Sequence, residues 1–244
     1  MTKRLLLFEG DQGALLEIRD KNLSNKREGA AARAFARKVF TIARKTEEPV
    51  IVAMIGLPGS GKSSVARELA EHIGGTILEY DKACLELRSR GASYESANDI
   101  LRIVALGVVR LDGNAVIDSD FIEAEDRAKL RTMCRRLGVR LVFVRTYADL
   151  DVVLKRLLPT DFLSDGYQNV VPLRRQADVG SEDVFVKLLK MLVNIPKHYR
   201  IQSEYRHRRF IIKKASRTLL VDIDTTKWNE WRREVERCVK QNFK

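Results

Sequence analysis

The chain has 244 residues, 45% of them hydrophobic and 32% charged, a balance that excludes a disordered protein and allows a full buried core. Its apolar stretches are far shorter than the roughly 20 residues needed to cross a bilayer, and Glu9 ends the first apolar run too early for a signal peptide, so we expect a cytoplasmic protein without a membrane partner. A formal net charge of +12 favours a polyanionic partner, although a solvated basic surface would explain it equally well.

The first 48 residues are predicted to form an extension ahead of the main domain. The largely apolar segments 4–8 and 14–19 flank a glycine-containing turn, a pattern typical of a β-hairpin. A basic helix is predicted to follow from about Arg27 to Lys45. The apolar stripe expected on this helix consists of Ala31, Phe35, Val39, Phe40 and Ile42.

From residue 49 to residue 244, strand patterns alternate with helix patterns. This rhythm predicts an α/β domain in which helices flank a parallel sheet in three layers. The strands are predicted at 50–55, 76–79, 115–117, 140–144 and 218–222. The helices are predicted at 62–73, 93–111, 124–137 and 227–240. The first strand is apolar throughout, as expected of a strand buried on both faces.

The scattered cysteines indicate neither a disulfide framework nor a metal site. Cys84, Cys134 and Cys238 form no CxxC pair, and the three histidines do not cluster. Ordinary packing is the expected role of the cysteines in the helices.

The strongest motif is Gly56-Leu-Pro-Gly-Ser-Gly-Lys-Ser63, which matches GxxxxGK[ST] in full. It follows the predicted buried strand and opens a predicted helix, the context that a phosphate-binding loop requires. Gly56, Gly59 and Gly61 let the backbone approach phosphate oxygens without a side-chain clash. A glycine-rich turn without a ligand is the alternative.

The side chains of this loop have distinct expected roles. Lys62 reaches the β- and γ-phosphates of ATP, the Ser63 hydroxyl binds Mg²⁺, and Ser64 assists at the α-phosphate. The residues expected to contact the nucleotide are Gly56, Pro58, Gly59, Ser60, Gly61, Lys62, Ser63 and Ser64.

Carboxylates follow two of the predicted strands. Asp81 lies at the carboxyl end of the second strand, where ligands bind in open α/β sheets, and can accept a proton from an acceptor hydroxyl. A helix N-cap is the alternative or additional role. Asp118 ends the third strand and is predicted to hold the water shell of Mg²⁺, while Asp120 is expected on the acceptor side. Both could instead be plain turn carboxylates.

Together these features resemble the polynucleotide 5′-kinase group, to which zeta-toxin kinases and small gluconate- and shikimate-type kinases are related. The resemblance covers about residues 50–160 and implies a P-loop fold like that of nucleoside and nucleotide kinases. The residues that carry it are the phosphate loop, Asp81, the strand end 116–120, the helix with Arg127, Arg131 and Arg135, and the strand 142–144.

The resemblance also implies catalytic roles. Asp81 matches the general base of the group, and Arg156 falls where a lid arginine reaches over the ATP phosphates, although a solvated helix end would also explain it. The group usually has an arginine three residues after the base, whereas this chain has Cys84. Arg88 is one of the nearest arginines and is expected on the acceptor side.

A lid or acceptor loop is predicted within about residues 155–181. Turn-forming residues are frequent there, and Arg174 and Arg175 form a basic pair expected to contact the acceptor.

The segment 196–217 is the most basic part of the chain, with eight Lys and Arg against one Glu. Tyr199, Tyr205 and Phe210 are interleaved with these charges. Cations that follow phosphates and aromatic rings that stack on bases are typical of a single-stranded nucleic-acid surface. The alternative is a solvated face whose aromatic residues belong to the core.

The sequence therefore favours a kinase that moves the γ-phosphate of ATP to a hydroxyl, with the 5′-hydroxyl of RNA or DNA as the first candidate. The first alternative is a kinase of a nucleoside, nucleotide-sugar or other metabolite. The second is a nucleic-acid- or ribosome-associated ATP-binding factor, which would need no acceptor base at Asp81.

Overall fold

A five-stranded parallel sheet flanked by helices on both faces forms the centre of the molecule. The computed structural model describes residues 4–6, 17–19, 26–39, 42–121, 123–157, 189, 192–197, 199–204, 207–212 and 220–243. The strands are β1 (Arg4–Leu6), β2 (Glu17–Arg19), β3 (Val50–Ile55), β4 (Gly75–Glu79), β5 (Asn114–Asp118), β6 (Arg140–Tyr147), β7 (Tyr199–Glu204), β8 (His207–Ile212) and β9 (Leu220–Asp224). The helices are α1 (Lys26–Val39), α2 (Lys62–Ile73), α3 (Tyr80–Arg88), α4 (Ala97–Arg110), α5 (Ala124–Leu137), α6 (Leu150–Leu157) and α7 (Trp231–Asn242).

The central sheet has the strand order β4-β5-β3-β6-β9, and each neighbouring pair is parallel. β1 pairs with β2 and β7 pairs with β8 as separate antiparallel hairpins. The predicted three-layer α/β class and the predicted amino-terminal hairpin are therefore confirmed. In the part of the chain that the structure describes, no helix is both long and apolar enough to cross a membrane.

β3 supplies side chains to two hydrophobic cores because successive residues of a strand point to opposite faces. One core includes residues of α1, α3, α4 and α5, and the other includes residues of α2 and α7. The residues of β3 in the first core are Ile51, Ala53 and Ile55, and those in the second core are Val50, Val52 and Met54. All six are buried, so β3 forms a fixed base for the loop that follows it.

The amino-terminal helix is shorter than predicted, and its buried face belongs to the first core. Ala31 and Phe35 are buried there with residues of α3 and α4, but the helix ends at Val39 rather than Lys45. The chain then runs along the amino ends of the sheet, where Lys45 N donates to Ile73 O and Asn114 N donates to Ala43 O. Ile42 lies beyond the helix and is 53% exposed, so its predicted place on the apolar stripe of the helix was wrong. Phe40 lies outside the described residues.

Several other element boundaries differ from the prediction, including the end of β6, which extends to Tyr147 rather than residue 144. The predicted helix 93–111 begins with a 3₁₀ turn, Tyr94–Ser96, because the Ser93 side chain accepts a hydrogen bond from Glu95 N. The last strand, β9, ends at Asp224 rather than at residue 222, and the last helix begins at Trp231 rather than at residue 227. The predicted strand residues 218 and 219 lie outside the described residues. The placement of a domain boundary at residue 48 stays a prediction.

Candidate active site

The phosphate loop connects the carboxyl end of β3 to the first residue of α2. Gly59 and Gly61 adopt left-handed backbone angles, with φ of 79° and 83°. A Cβ atom on Gly56 would lie 2.7 Å from Thr146 O, and one on Gly59 would lie 2.9 Å from Val153 O. The loop therefore requires glycine both for its backbone angles and for its close packing on β6 and α6.

The start of α2 can provide amide N–H groups to an anion. Within the described residues, the first helical backbone hydrogen bond runs from Val65 N to Gly61 O. The amides of Lys62, Ser63 and Ser64 precede this bond and have no acceptor in the helix. Together with the helix dipole, these groups form the kind of anion site that binds phosphate.

Lys62 folds over the phosphate loop. Its Nζ donates to Gly56 O and Leu57 O at 3.0 Å each and forms an ion pair with Asp120 at 2.7 Å. The structure thus places Asp120, which we predicted to be on the acceptor side, against the lysine of the loop. The Lys62 side chain is 12% exposed, so its charge lies close to the loop and is partly screened from bulk water.

Asp118, at the end of β5, lies beside the phosphate loop and is 8% exposed. It accepts a hydrogen bond from Ser63. Burial raises the pKa of its carboxyl above the ordinary range, and the hydrogen bond from Ser63 and the charge of Lys62 oppose this shift. The negative charges of Glu79 and Asp120 add to the increase.

Ser63 and Asp118 fit a magnesium ion that takes its other ligands from phosphate oxygens and water. Magnesium is commonly bound by one or two protein oxygens together with substrate phosphates. Among the described residues, no group of three His, Cys, Asp or Glu side chains could hold a metal on its own. The adjacent hydroxyl and carboxylate therefore suit a site that depends on the nucleotide.

We expect Asp118→Asn to stabilise the nucleotide-free protein at neutral pH. Because folding raises the pKa of Asp118, the stability linked to its protonated form is present at low pH and lost as the pH rises through the folded-state value. A neutral asparagine avoids this loss, and the Tm should increase by a few degrees at pH 7. Thermal unfolding from pH 4 to pH 8 measures the effect, which should shrink toward pH 4. A lower Tm at pH 7 would show that burial does not dominate at this carboxylate.

Glu79 is a site residue that the sequence analysis missed. It ends β4 and lies directly opposite Asp118 in the parallel register, so both carboxylates are at the same edge of the sheet. Glu79 also forms ion pairs with Lys82 and, at 3.8 Å, with Arg67. Its position at a strand end could have identified it, but Asp81 two residues later matched the family pattern better.

Asp81 lies in the first turn of α3, just beyond this sheet edge, and is exposed. The N-cap position belongs to Glu79, so the N-cap role that we considered for Asp81 was wrong.

Arg88, which we predicted to be on the acceptor side, is the last residue of α3 and is exposed. Arg90 forms an ion pair with Glu86 at 2.6 Å. Arg174 and Arg175 lie outside the described residues, as does most of the predicted lid.

Arg156, on α6, contacts the phosphate loop through the backbone carbonyl of Gly59. Its Nη1 donates to Gly59 O at 3.2 Å and to Thr225 Oγ1 at 3.1 Å, and its Nη2 donates to Thr225 O at 2.6 Å. Burial lowers the pKa of the guanidinium, and the charge of Asp224 opposes this shift. The predicted lid arginine is therefore next to the loop and tethered to the residue that follows β9.

The segment from Asp118 to Phe121 is held by two helices. Ser119 Oγ donates to Asn98 Oδ1 on α4 at 2.9 Å, and Arg127 Nη1 on α5 donates to Phe121 O at 2.6 Å. Phe121 has a φ of +37°, an uncommon and strained angle for a residue with a side chain. These contacts keep Asp118 and Asp120 beside the phosphate loop.

The basic segment 196–217 includes the hairpin of β7 and β8. Tyr199 is 4% exposed, packs with Leu57 and Val153, and donates a hydrogen bond to Ala148 O at 2.8 Å. Burial raises its pKa to about 12. Of the two interpretations of Tyr199, base stacking and packing in the core, the structure supports packing in the core. Tyr205 and the side chain of Phe210 lie outside the described residues.

Comparison with known proteins places the phosphate loop inside a described family domain. The family described as an AAA domain matches residues 50–158, which is less than half of the chain. No curated protein matches the sequence.

Several solved structures of kinases are similar to part or most of this chain. A gluconokinase from Sinorhizobium meliloti is 17% identical over 82% of this chain and 99% of its own, with a TM-score of 0.45. A shikimate kinase from Acinetobacter baumannii, in complex with shikimate, is 18% identical over 80% and 93%, with a TM-score of 0.43. The APS kinase of Mycobacterium tuberculosis, in complex with AMPPNP and APS, is 26% identical over 45% and 68%, with a TM-score of 0.37.

The structure of the chain itself brings the phosphate loop and the end of β5 together. β3 carries the loop, β5 lies beside it in the sheet, and Asp118 ends β5 next to Ser63. The chain therefore has a five-stranded parallel sheet with a complete phosphate-loop motif after its central strand, and residues 50–158 match the AAA domain family.

Proposed function

We propose that this protein is a P-loop kinase and that it transfers the γ-phosphate of ATP, with Mg²⁺, to a hydroxyl group of a small molecule. The observation that carries the proposal is the juxtaposition of Lys62, Ser63 and Asp118 at the carboxyl edge of the sheet, with Asp81 just beyond. This combination provides an anion site, a metal site and a base within one edge of the fold.

Each side chain has a role that its position supports. The loop amides and Lys62 bind the β- and γ-phosphates and stabilise the charge that develops during transfer. Ser63 and Asp118 hold Mg²⁺, which screens the phosphate charges when it is bound. Asp81, exposed at the start of α3, accepts the proton of the acceptor hydroxyl. Arg156 helps to order the loop by its hydrogen bond to Gly59 O.

The charges at the acceptor edge favour a neutral hydroxyl compound over a polynucleotide. Four carboxylates at the carboxyl ends of β4 and β5 would repel the phosphates of an RNA or DNA end: Glu79, Asp81, Asp118 and Asp120. Arg90, one of the arginines nearest to the base, is already paired with Glu86. Tyr199 is buried and offers no ring to a base. A sugar or polyol hydroxyl meets none of these obstacles.

The acceptor can be determined by offering the protein [γ-³²P]ATP with separate panels of sugars and polyols, nucleosides, and oligonucleotides with a 5′-hydroxyl. We expect label in the small-molecule panels and none in the oligonucleotides. The oligonucleotide reaction is repeated at about 50 and 200 mM salt, because a polynucleotide substrate would lose binding steeply as salt increases. Label in an oligonucleotide, with that salt dependence, would contradict the small-molecule acceptor and support the polynucleotide.

ATP consumption without label in any panel would support instead a nucleotide-controlled binding factor. Substituting Asp81 would then leave the ATPase rate unchanged, since such a factor needs no acceptor base.

A further inference from the structure

The hydroxyl of Thr225 lies where three segments of the site meet. Thr225 follows β9 directly and is 3% exposed. Its Oγ1 is 2.8 Å from Ser60 O in the phosphate loop, 3.1 Å from Tyr147 O at the end of β6, and 3.1 Å from Arg156 Nη1 on α6. Its backbone N donates to Tyr147 O at 2.8 Å, which fixes the residue to the sheet.

We propose that Thr225 is a positioning residue for the phosphate loop, an inference that rests on the proposed binding of nucleotide phosphates there. A threonine hydroxyl has one hydrogen to donate, and the shortest distance assigns it to Ser60 O. Its lone pairs remain available to accept from Arg156.

This hydrogen bond determines the direction of one phosphate-binding amide. Ser60 O and Gly61 N–H belong to the same peptide unit, which is planar and trans, so the two groups point in opposite directions. When Thr225 holds Ser60 O on one side, the Gly61 N–H is turned to the other side. A Cβ atom on Gly61 would lie 3.1 Å from the Thr225 side chain, which shows that Thr225 packs directly against the back of the loop.

Arg156 strengthens the same arrangement. It donates to both Oγ1 and O of Thr225 and also to Gly59 O, so one guanidinium joins the loop to the end of β9. Removing the Thr225 hydroxyl would leave Ser60 O without this donor and Arg156 without one acceptor. The loop would then have to order itself when the nucleotide binds, and the affinity would decrease.

The test measures MgADP binding by calorimetry in the full chain and in matched variants. Thr225→Val keeps the shape and removes the hydroxyl, and we expect its affinity to fall by about tenfold or more. Thr225→Ser restores the hydroxyl and should stay within about threefold of the wild type. Thr226→Val is the control, because the neighbouring hydroxyl accepts a hydrogen bond from Asp149 N instead of bonding to the loop. In turnover assays the valine variant should show a larger change in KM for ATP than in kcat.

Several outcomes would overturn the inference. Equal MgADP affinity in Thr225→Val and the wild type would refute it while leaving the proposed function intact, whereas a wild type that does not bind MgADP would refute both. If circular dichroism shows that the valine variant does not fold, Thr225→Cys replaces it. A thiol is a weak donor, so its affinity should fall below that of Thr225→Ser, and an affinity equal to the serine variant would refute the inference.

Discussion

Lys62→Ala is expected to reduce phosphate transfer by on the order of a thousandfold while the protein remains folded. The Lys62 amine is the main positive charge that the structure places over the phosphate loop, held by Gly56 O, Leu57 O and Asp120. Without it, the negative charge on the transferring phosphate has no ammonium partner at the loop. Steady-state rates with labelled ATP measure the loss, and circular dichroism measures the fold.

The matched control for this variant is Lys227→Ala. Lys227 is exposed and forms a surface ion pair with Glu230 at 3.0 Å. Its replacement should therefore have little effect on the rate of phosphate transfer. Equal rates for Lys62→Ala and Lys227→Ala would show that the loop lysine takes no part in the reaction.

Asp81→Asn is expected to retain ATP binding and to reduce acceptor phosphorylation by on the order of a hundredfold or more. Asparagine has the same shape as aspartate but cannot accept the proton of the acceptor hydroxyl. Asp81 is exposed beyond the strand end and outside the contacts of the phosphate loop, so the affinity for nucleotide should not change. Separate measurements of MgADP affinity and of kcat distinguish the two effects.

Asp112→Asn provides the matched control for the base. Asp112 follows α4, near the amino ends of the strands, and forms an exposed ion pair with Arg44 at 2.7 Å. Its substitution should change the transfer rate by less than about twofold, since exposed ion pairs contribute little. An unchanged kcat in Asp81→Asn would assign the base to another residue of the acceptor edge, with Glu79 as the next one to substitute.

The fold could be predicted because its signals are local. An apolar strand at 50–55, the glycine-rich loop and the helix after it are contiguous in sequence, and the alternation of strands and helices leads directly to a parallel sheet. The position of Asp118 beside the loop also followed, because the carboxyl ends of parallel strands meet at one edge.

The contacts that complete the site could not be predicted, because they join residues far apart in the chain. No sequence pattern shows that Asp120 pairs with Lys62 or that Thr225 reaches Ser60 O, across 165 positions. The two aromatic interpretations of Tyr199 were equally consistent with the sequence, and only the packing with Leu57 and Val153 decides between them. The end of α1 was predicted too late because Ile42 follows Val39 at helical spacing, although the helix ends at Val39.

A crystal structure of the protein with MgADP would test the central claim most directly. We predict the β-phosphate within hydrogen-bond distance of the amides between Gly59 and Ser63, the Lys62 amine turned from Asp120 toward the phosphate, and the metal beside Ser63 and Asp118. Nucleotide bound elsewhere on the molecule, or a loop that excludes it at saturating MgADP, would contradict the account.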